Sequence, residues 1–104
     1  MKERLPLVTI MGPTGVGKTD LAISLFKTVS LEIINVDSVQ VYRGMDIGTG
    51  KPSKEILDKY PHNLLSFIDP WKSYSTALFI NDATREIDLC DKSKKVPLLV
   101  GGTM

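Results

Sequence analysis

The chain has 104 residues, 42% hydrophobic and 24% charged, and its 13 basic residues are nearly matched by 12 acidic ones. That is the composition of one small globular domain, with enough apolar residues for a core but little stability to spare. The charge balance excludes a broadly basic nucleic-acid or membrane-binding face, so any RNA contact must be local or must lie elsewhere.

The first apolar run, Leu5 to Met11, is far short of the roughly 20 residues of a membrane span. It runs into glycines and Lys18 without an Ala-x-Ala-like cleavage site, so it reads as a strand and not as a secretory leader. Its continuous apolar character predicts burial on both faces. From Lys18 to Val29 the period becomes helical, with Ala22, Leu25, Phe26 and Val29 on one face. Glu32 to Val36 predicts a second strand, closed by Asp37-Ser38, and the glycine-rich stretch Arg43 to Pro52 predicts a loop. A short helix is expected over Ser53 to Tyr60, capped by Ser53. Asn63 to Ile68 reads as a strand stopped by Asp69-Pro70. Ser75 to Leu89 reads as a helix through Phe79, Ile80, Ala83 and Ile87, with Ser73 or Ser75 as its cap. Val96 to Val100 predicts the last strand.

Strands alternating with helices predict an α/β fold on a parallel sheet, as a single unit over residues 1–104. Such sheets bind ligands beyond the carboxyl ends of their strands. Three polar or glycine-rich stretches follow strands here: Gly12 to Thr19, Asp37 to Gln40, and Gly101 to Thr103. Parallel strands would gather all three on one edge. Cys90 is the only cysteine, which excludes an intrachain disulfide and points to a reducing cytosol and a packing or surface role. Trp71 is expected to pack, His62 to be structural or at the surface, and Lys92, Lys94 and Lys95 to form a solvated turn.

Gly12-Pro13-Thr14-Gly15-Val16-Gly17-Lys18-Thr19 fits the phosphate-loop pattern Gly-x-x-x-x-Gly-Lys-[Ser/Thr] at every fixed position. Glycines let the backbone curl with its N–H groups inward, which makes a concave anion site. The following helix adds its positive end, Lys18 a full charge, and the Thr19 hydroxyl a ligand for magnesium. A glycine-rich turn without a ligand is the bland alternative, and the strand before and helix after the motif argue against it. The loop alone does not choose a ligand: kinases, GTPases, motor proteins and transferases all use it.

Beyond the loop, Asp37-Ser38-Val39-Gln40-Val41-Tyr42 and Gly44-Met45-Asp46-Ile47-Gly48-Thr49-Gly50-Lys51-Pro52 resemble the signature of tRNA dimethylallyltransferases, also called isopentenyl-tRNA transferases. Pro61-His62-x-Leu64, Asp69-Pro70, Tyr74-Ser75 and Pro97 to Met104 extend the resemblance along almost the whole chain. Gly50 stands where alanine is frequent, and His62 stands alone where many relatives have two histidines. Family members run to about three such lengths. The resemblance therefore implies an N-terminal fragment, with an incomplete P-loop NTPase-like sheet flanked by helices and without the helical domain that grips tRNA.

The implied reaction moves a dimethylallyl group from dimethylallyl diphosphate to the exocyclic amine of the adenine adjacent to the anticodon, in tRNAs reading codons that start with U. By resemblance, Gly12 and Pro13 belong to the phosphate loop, and Thr14, Gly15, Val16, Gly17, Lys18 and Thr19 line the diphosphate site. Lys18 and Thr19 assist the departing group, Thr19 with Mg2+, and Asp37 is the general base. Asp37, Ser38, Val39, Gln40 and Thr103 match the positions that touch tRNA, while an Asp that merely caps a turn is the plainer reading of Asp37. Arg43 and Lys51 are further candidates for phosphate contacts. The implied partners are the tRNA anticodon loop and dimethylallyl diphosphate, with ATP a further candidate at the loop, no membrane, a cytoplasmic location and a monomeric full-length protein. Two alternatives stay open from the residues alone: a P-loop small-molecule kinase, and a nucleotide-binding module without chemistry.

Overall fold

The computed structural model describes residues 7–12, 17–37, 40–44 and 51–101. Four strands, β1 (Val8–Met11), β2 (Leu31–Asn35), β3 (His62–Asn63) and β4 (Val96–Gly101), form one sheet in the order β1-β4-β2-β3. Every pairing is parallel, with Ile10 opposite Val100, Ile33 opposite Leu98 and Ile33 opposite His62. Three helices complete the unit: α1 (Lys18–Thr28), α2 (Lys54–Lys59) and α3 (Thr76–Lys92).

The apolar runs of β2 and β4 are continuous because both faces of the sheet are covered. Leu31, Ile33 and Leu98 point to one side, where they meet Ala22, Leu25 and Phe26 of α1. Ile34 and Leu99 point to the other, against Phe79, Ala83, Ile87 and Cys90 of α3. Ile33, Ile34 and Leu98 are fully buried, so the two central strands carry the core. Phe26 of α1 also meets Tyr60 edge-to-face at 5.3 Å, which ties the end of α2 to the same side. Serine caps start the two later helices as their spacing predicts. The Ser53 side chain accepts from Ile56 N at 3.3 Å and the Ser75 side chain from Leu78 N at 3.1 Å.

Four expectations are corrected. β1 is not buried on both faces: among the described residues it is an edge strand paired with β4 alone, and Val8 and Met11 are exposed while Ile10 packs inward. The strand expected over Asn63 to Ile68 shrinks to His62–Asn63. Leu64 and Ser66 there take φ of 62° and 52°, left-handed values that break an extended run, and pairing resumes only at the Tyr42–Ile68 bridge. Ile80 lies off the line formed by Phe79, Ala83 and Ile87 and is exposed. Trp71 is 80% exposed: the Asp69-Pro70 turn, closed by Lys72 N donating to Asp69 O, carries it away from both core clusters. Cys90 packs against Ile34 and Leu64, and burial pushes its thiol above the usual range. Among the described residues no helix is long and apolar enough to cross a membrane.

Candidate active site

Because all strands are parallel, their carboxyl ends fall on one edge, where Met11 lies opposite Gly101 and Asn35 opposite Val100. A cavity of about 370 Å³ opens there. Gly17, Lys18, Thr19 and Asp20 line it from the start of α1, and Asn35, Asp37 and Gln40 from the end of β2. Lys51, His62 and Gly101 complete it. The carboxyl-edge convergence expected from the sequence is present for Gly12, Gly17 to Thr19, Asp37, Gln40 and Gly101. Pro13, Thr14, Gly15, Val16, Ser38, Val39 and Thr103 lie outside the described residues.

The helix side is built around Lys18. Gly17, the N-cap of α1, has φ 79°, a conformation that a side chain would resist. Gly17 to Asp20 bring the start of α1 to the cavity, and a helix N-terminus carries a partial positive charge. The Lys18 ammonium donates to Gly12 O and to Gly101 O, each at 2.8 Å, and so bridges the ends of β1 and β4. An ammonium has three N–H bonds. Among the described residues those two carbonyls take two of them.

The β2 side is built around Asn35, to which sequence reasoning gave no role within the run Glu32 to Val36. Asn35 is only 2% exposed, the one buried polar residue among those described. Its Oδ1 accepts from Asp37 N at 3.0 Å, and its Nδ2 donates to Asp37 O at 3.1 Å and to Leu64 O at 3.0 Å. Asp37 Oδ1 in turn accepts from Gln40 N at 3.3 Å. Asp37 thus caps a turn, the plain role foreseen for it, while also lining the cavity.

The other basic candidates separate. Lys51 lines the cavity, and its ammonium donates to Tyr42 O and, at 2.8 Å, to Ser66 Oγ. Arg43 is drawn to the surface by Asp69, 2.9 Å from its guanidinium, and does not reach the cavity. Lys95 pairs with Glu32 at 3.0 Å. His62 is a cavity residue as well as a structural one. Its Nδ1 lies 2.7 Å from Tyr60 O, a carbonyl that can only accept, so Nδ1 carries the proton. Burial lowers the pKa of the ring, against an opposing effect of that hydrogen bond, and favours neutral imidazole with an Nε2 lone pair.

No cluster of three or more histidine, cysteine or acidic side chains fit to hold a metal occurs among the described residues. A magnesium ion carried on phosphate oxygens needs only one or two protein oxygens, and Thr19, beside the carboxylate-bearing Asp20, has the hard-oxygen chemistry for it.

Fold and cavity together define an α/β protein with a cleft at the carboxyl edge of a parallel sheet, bordered by lysine and carboxylate side chains. Residues 40–104 match the family profile of IPP transferases, and residues 5–65 that of isopentenyl transferases. The chain is 48% identical to the full-length tRNA isopentenylpyrophosphate transferase of Bacillus halodurans, with a TM-score of 0.86 over 98% of this chain and 33% of that one. Against the tRNA delta(2)-isopentenylpyrophosphate transferase of Staphylococcus epidermidis the identity is 40% and the TM-score 0.85, over 95% of this chain and 33% of that one. A eukaryotic dimethylallyltransferase acting on tRNA is 33% identical, with a TM-score of 0.84 over 91% of this chain and 24% of that one. The chain belongs to the IPP transferase family. It spans about a third of the length of the two bacterial structures and about a quarter of the eukaryotic one.

Proposed function

We propose that these residues form the diphosphate- and adenine-binding part of a tRNA dimethylallyltransferase. The full-length protein would move a dimethylallyl group from dimethylallyl diphosphate to the exocyclic amine of the adenine adjacent to the anticodon, in tRNAs reading codons that start with U. The observation that carries this reading is the shared cavity of Lys18 and Asp37.

In this reading the diphosphate lies against the N-terminal end of α1 and the Lys18 ammonium. The bond between the prenyl carbon and the bridging oxygen breaks, and both electrons leave with the diphosphate. Lys18 is placed to neutralise that growing charge, an electrostatic contribution that a water-poor cleft strengthens. The adenine leaves its stack to enter the cavity. Its exocyclic nitrogen, a weak nucleophile because its lone pair is delocalised into the ring, forms the new carbon–nitrogen bond and gives a proton to the Asp37 carboxylate. Magnesium, held through Thr19, would supply further charge neutralisation on the diphosphate. Gln40 donates its main-chain N–H to Asp37 and lines the same cavity, a place suited to contact with the flipped nucleotide. The buried Cys90, whose thiol is held above its ordinary pKa, fits a cytoplasmic protein.

The test is transfer of labelled dimethylallyl from its diphosphate to tRNA by the full-length protein, beside a competition for the cavity by ATP. The reading expects tRNA carrying the label at one adenine beside the anticodon, and weak competition by ATP. Phosphorylation of a small molecule with no label in tRNA would replace it with a kinase.

A further inference from the structure

Asn35 is held in a way that bears on the reaction. A primary amide has two donors and a carbonyl oxygen, and burying it without partners is costly. Among the described residues every hydrogen bond of this buried side chain goes to a main-chain atom: Asp37 N, Asp37 O and Leu64 O. One side chain therefore grips both main-chain polar groups of Asp37. The same amide reaches Leu64, 29 residues on, whose φ of 62° is unusual for a branched side chain. Since the oxygen must face the N–H and the nitrogen must face the two carbonyls, only one flip of the amide satisfies all three partners. The end of β2, the turn that bears Asp37 and the loop after β3 are locked together at one buried point.

We propose that Asn35 is a positioning residue, which fixes the Asp37 carboxylate at the angle needed to take the proton from the adenine amine. It acts through the main chain of Asp37 and not by touching substrate. The proposal rests on the reading of Asp37 as the base. It adds that the precision of that base comes from a side chain two residues earlier, and that Leu64 is part of the same support.

The test is a double-mutant cycle on transfer by the full-length protein. Asn35→Ala leaves the three main-chain groups without their partner, and kcat is expected to fall by about 10–100-fold, the scale of a misplaced reacting group. Binding of dimethylallyl diphosphate, measured by titration, should stay within about twofold, because Lys18 is anchored on Gly12 and Gly101 instead. In an Asp37→Asn background the same Asn35→Ala change should cost no further kcat. Asn35→Ser, which keeps a shorter polar group, should fall between wild type and alanine and serves where the alanine variant folds poorly. Ile33→Val, buried in the same strand, should lower the melting midpoint while leaving kcat unchanged. An equal loss of kcat on both the wild-type and Asp37→Asn backgrounds overturns the positioning role. An Asp37→Asn variant with wild-type kcat instead overturns the base assignment on which it stands.

Discussion

The two walls of the cavity are built by opposite means. On the α1 side a long, flexible lysine reaches across to two carbonyl oxygens at the ends of β1 and β4, in a region rich in glycine. On the β2 side a short carboxylate sits on a main chain that is clamped at its N–H and its carbonyl by one buried amide. In the proposed function the difference follows from what each wall would have to do. A diphosphate carries its charge over many oxygens, so a cation on a mobile stem can follow it and exchange carbonyl partners for phosphate ones. A proton acceptor must meet one nitrogen along one line, so its carrier has to be stiff. The sheet supplies both from one edge because its strands all run the same way.

Substitutions on the two walls should therefore fail differently. Asp37→Asn keeps the oxygen that Gln40 N uses and removes the proposed base, so kcat should fall by about 10²–10⁴-fold with diphosphate affinity little changed. Steady-state transfer kinetics beside a binding titration would show it. Lys18→Ala should cost on the order of 10²–10³-fold in kcat and also weaken diphosphate binding. Equal affinity in wild type and the Lys18 variant would place the diphosphate elsewhere.

Gly101 joins the two walls, and its substitution tests the join. A β-carbon built there lies 2.6 Å from Val36 Cγ2 and 3.2 Å from the Val36 carbonyl carbon. The side chain can turn away, but the backbone cannot without moving the segment that leads to Asp37. Gly101→Ala should cost about 1–3 kcal/mol in thermal or denaturant unfolding. A neutral result would mean that the end of β4 gives way freely.

The smallest effect expected is a pH slope. His62 is harder to protonate when folded than the ordinary value of 6.5, because burial opposes its charge. Folding then favours the neutral ring, so this contribution is fully present above about pH 6.5 and is lost as pH falls below it towards the lower folded value. The melting midpoint should drop more between about pH 7.5 and pH 5 in wild type than in His62→Gln. Parallel slopes would contradict that sign.

Much of this architecture was legible in the residue order, and the parts that were not share a cause. The serine caps and the twin apolar runs of β2 and β4 are local signals, and local signals reach the fold intact. β3 was not legible in length: Leu64 to Ile68 is apolar enough for a strand, and only tertiary contacts such as the Asn35–Leu64 bond hold the left-handed turn there. Asn35 lies inside the run Glu32 to Val36 and carries no local signal of its role, because two of its three bonds go to Asp37 and the third crosses 29 residues. β1 read as central since its composition matches β2 and β4, yet nothing in the described residues pairs with its outer edge. Trp71 shows the reverse error, since size and apolar character predict burial while the turn at Asp69 decides otherwise.

The proposed reaction needs the diphosphate and the Asp37 carboxylate to stand on either side of the same prenyl carbon and adenine. A crystal structure of the full-length protein with dimethylallyl diphosphate measures that directly. It should show the diphosphate against the Lys18 ammonium and the N-terminal end of α1, with the prenyl carbon directed towards the Asp37 carboxylate. A diphosphate bound away from Lys18, or a prenyl chain pointing out of the cavity that Asp37 lines, would contradict it.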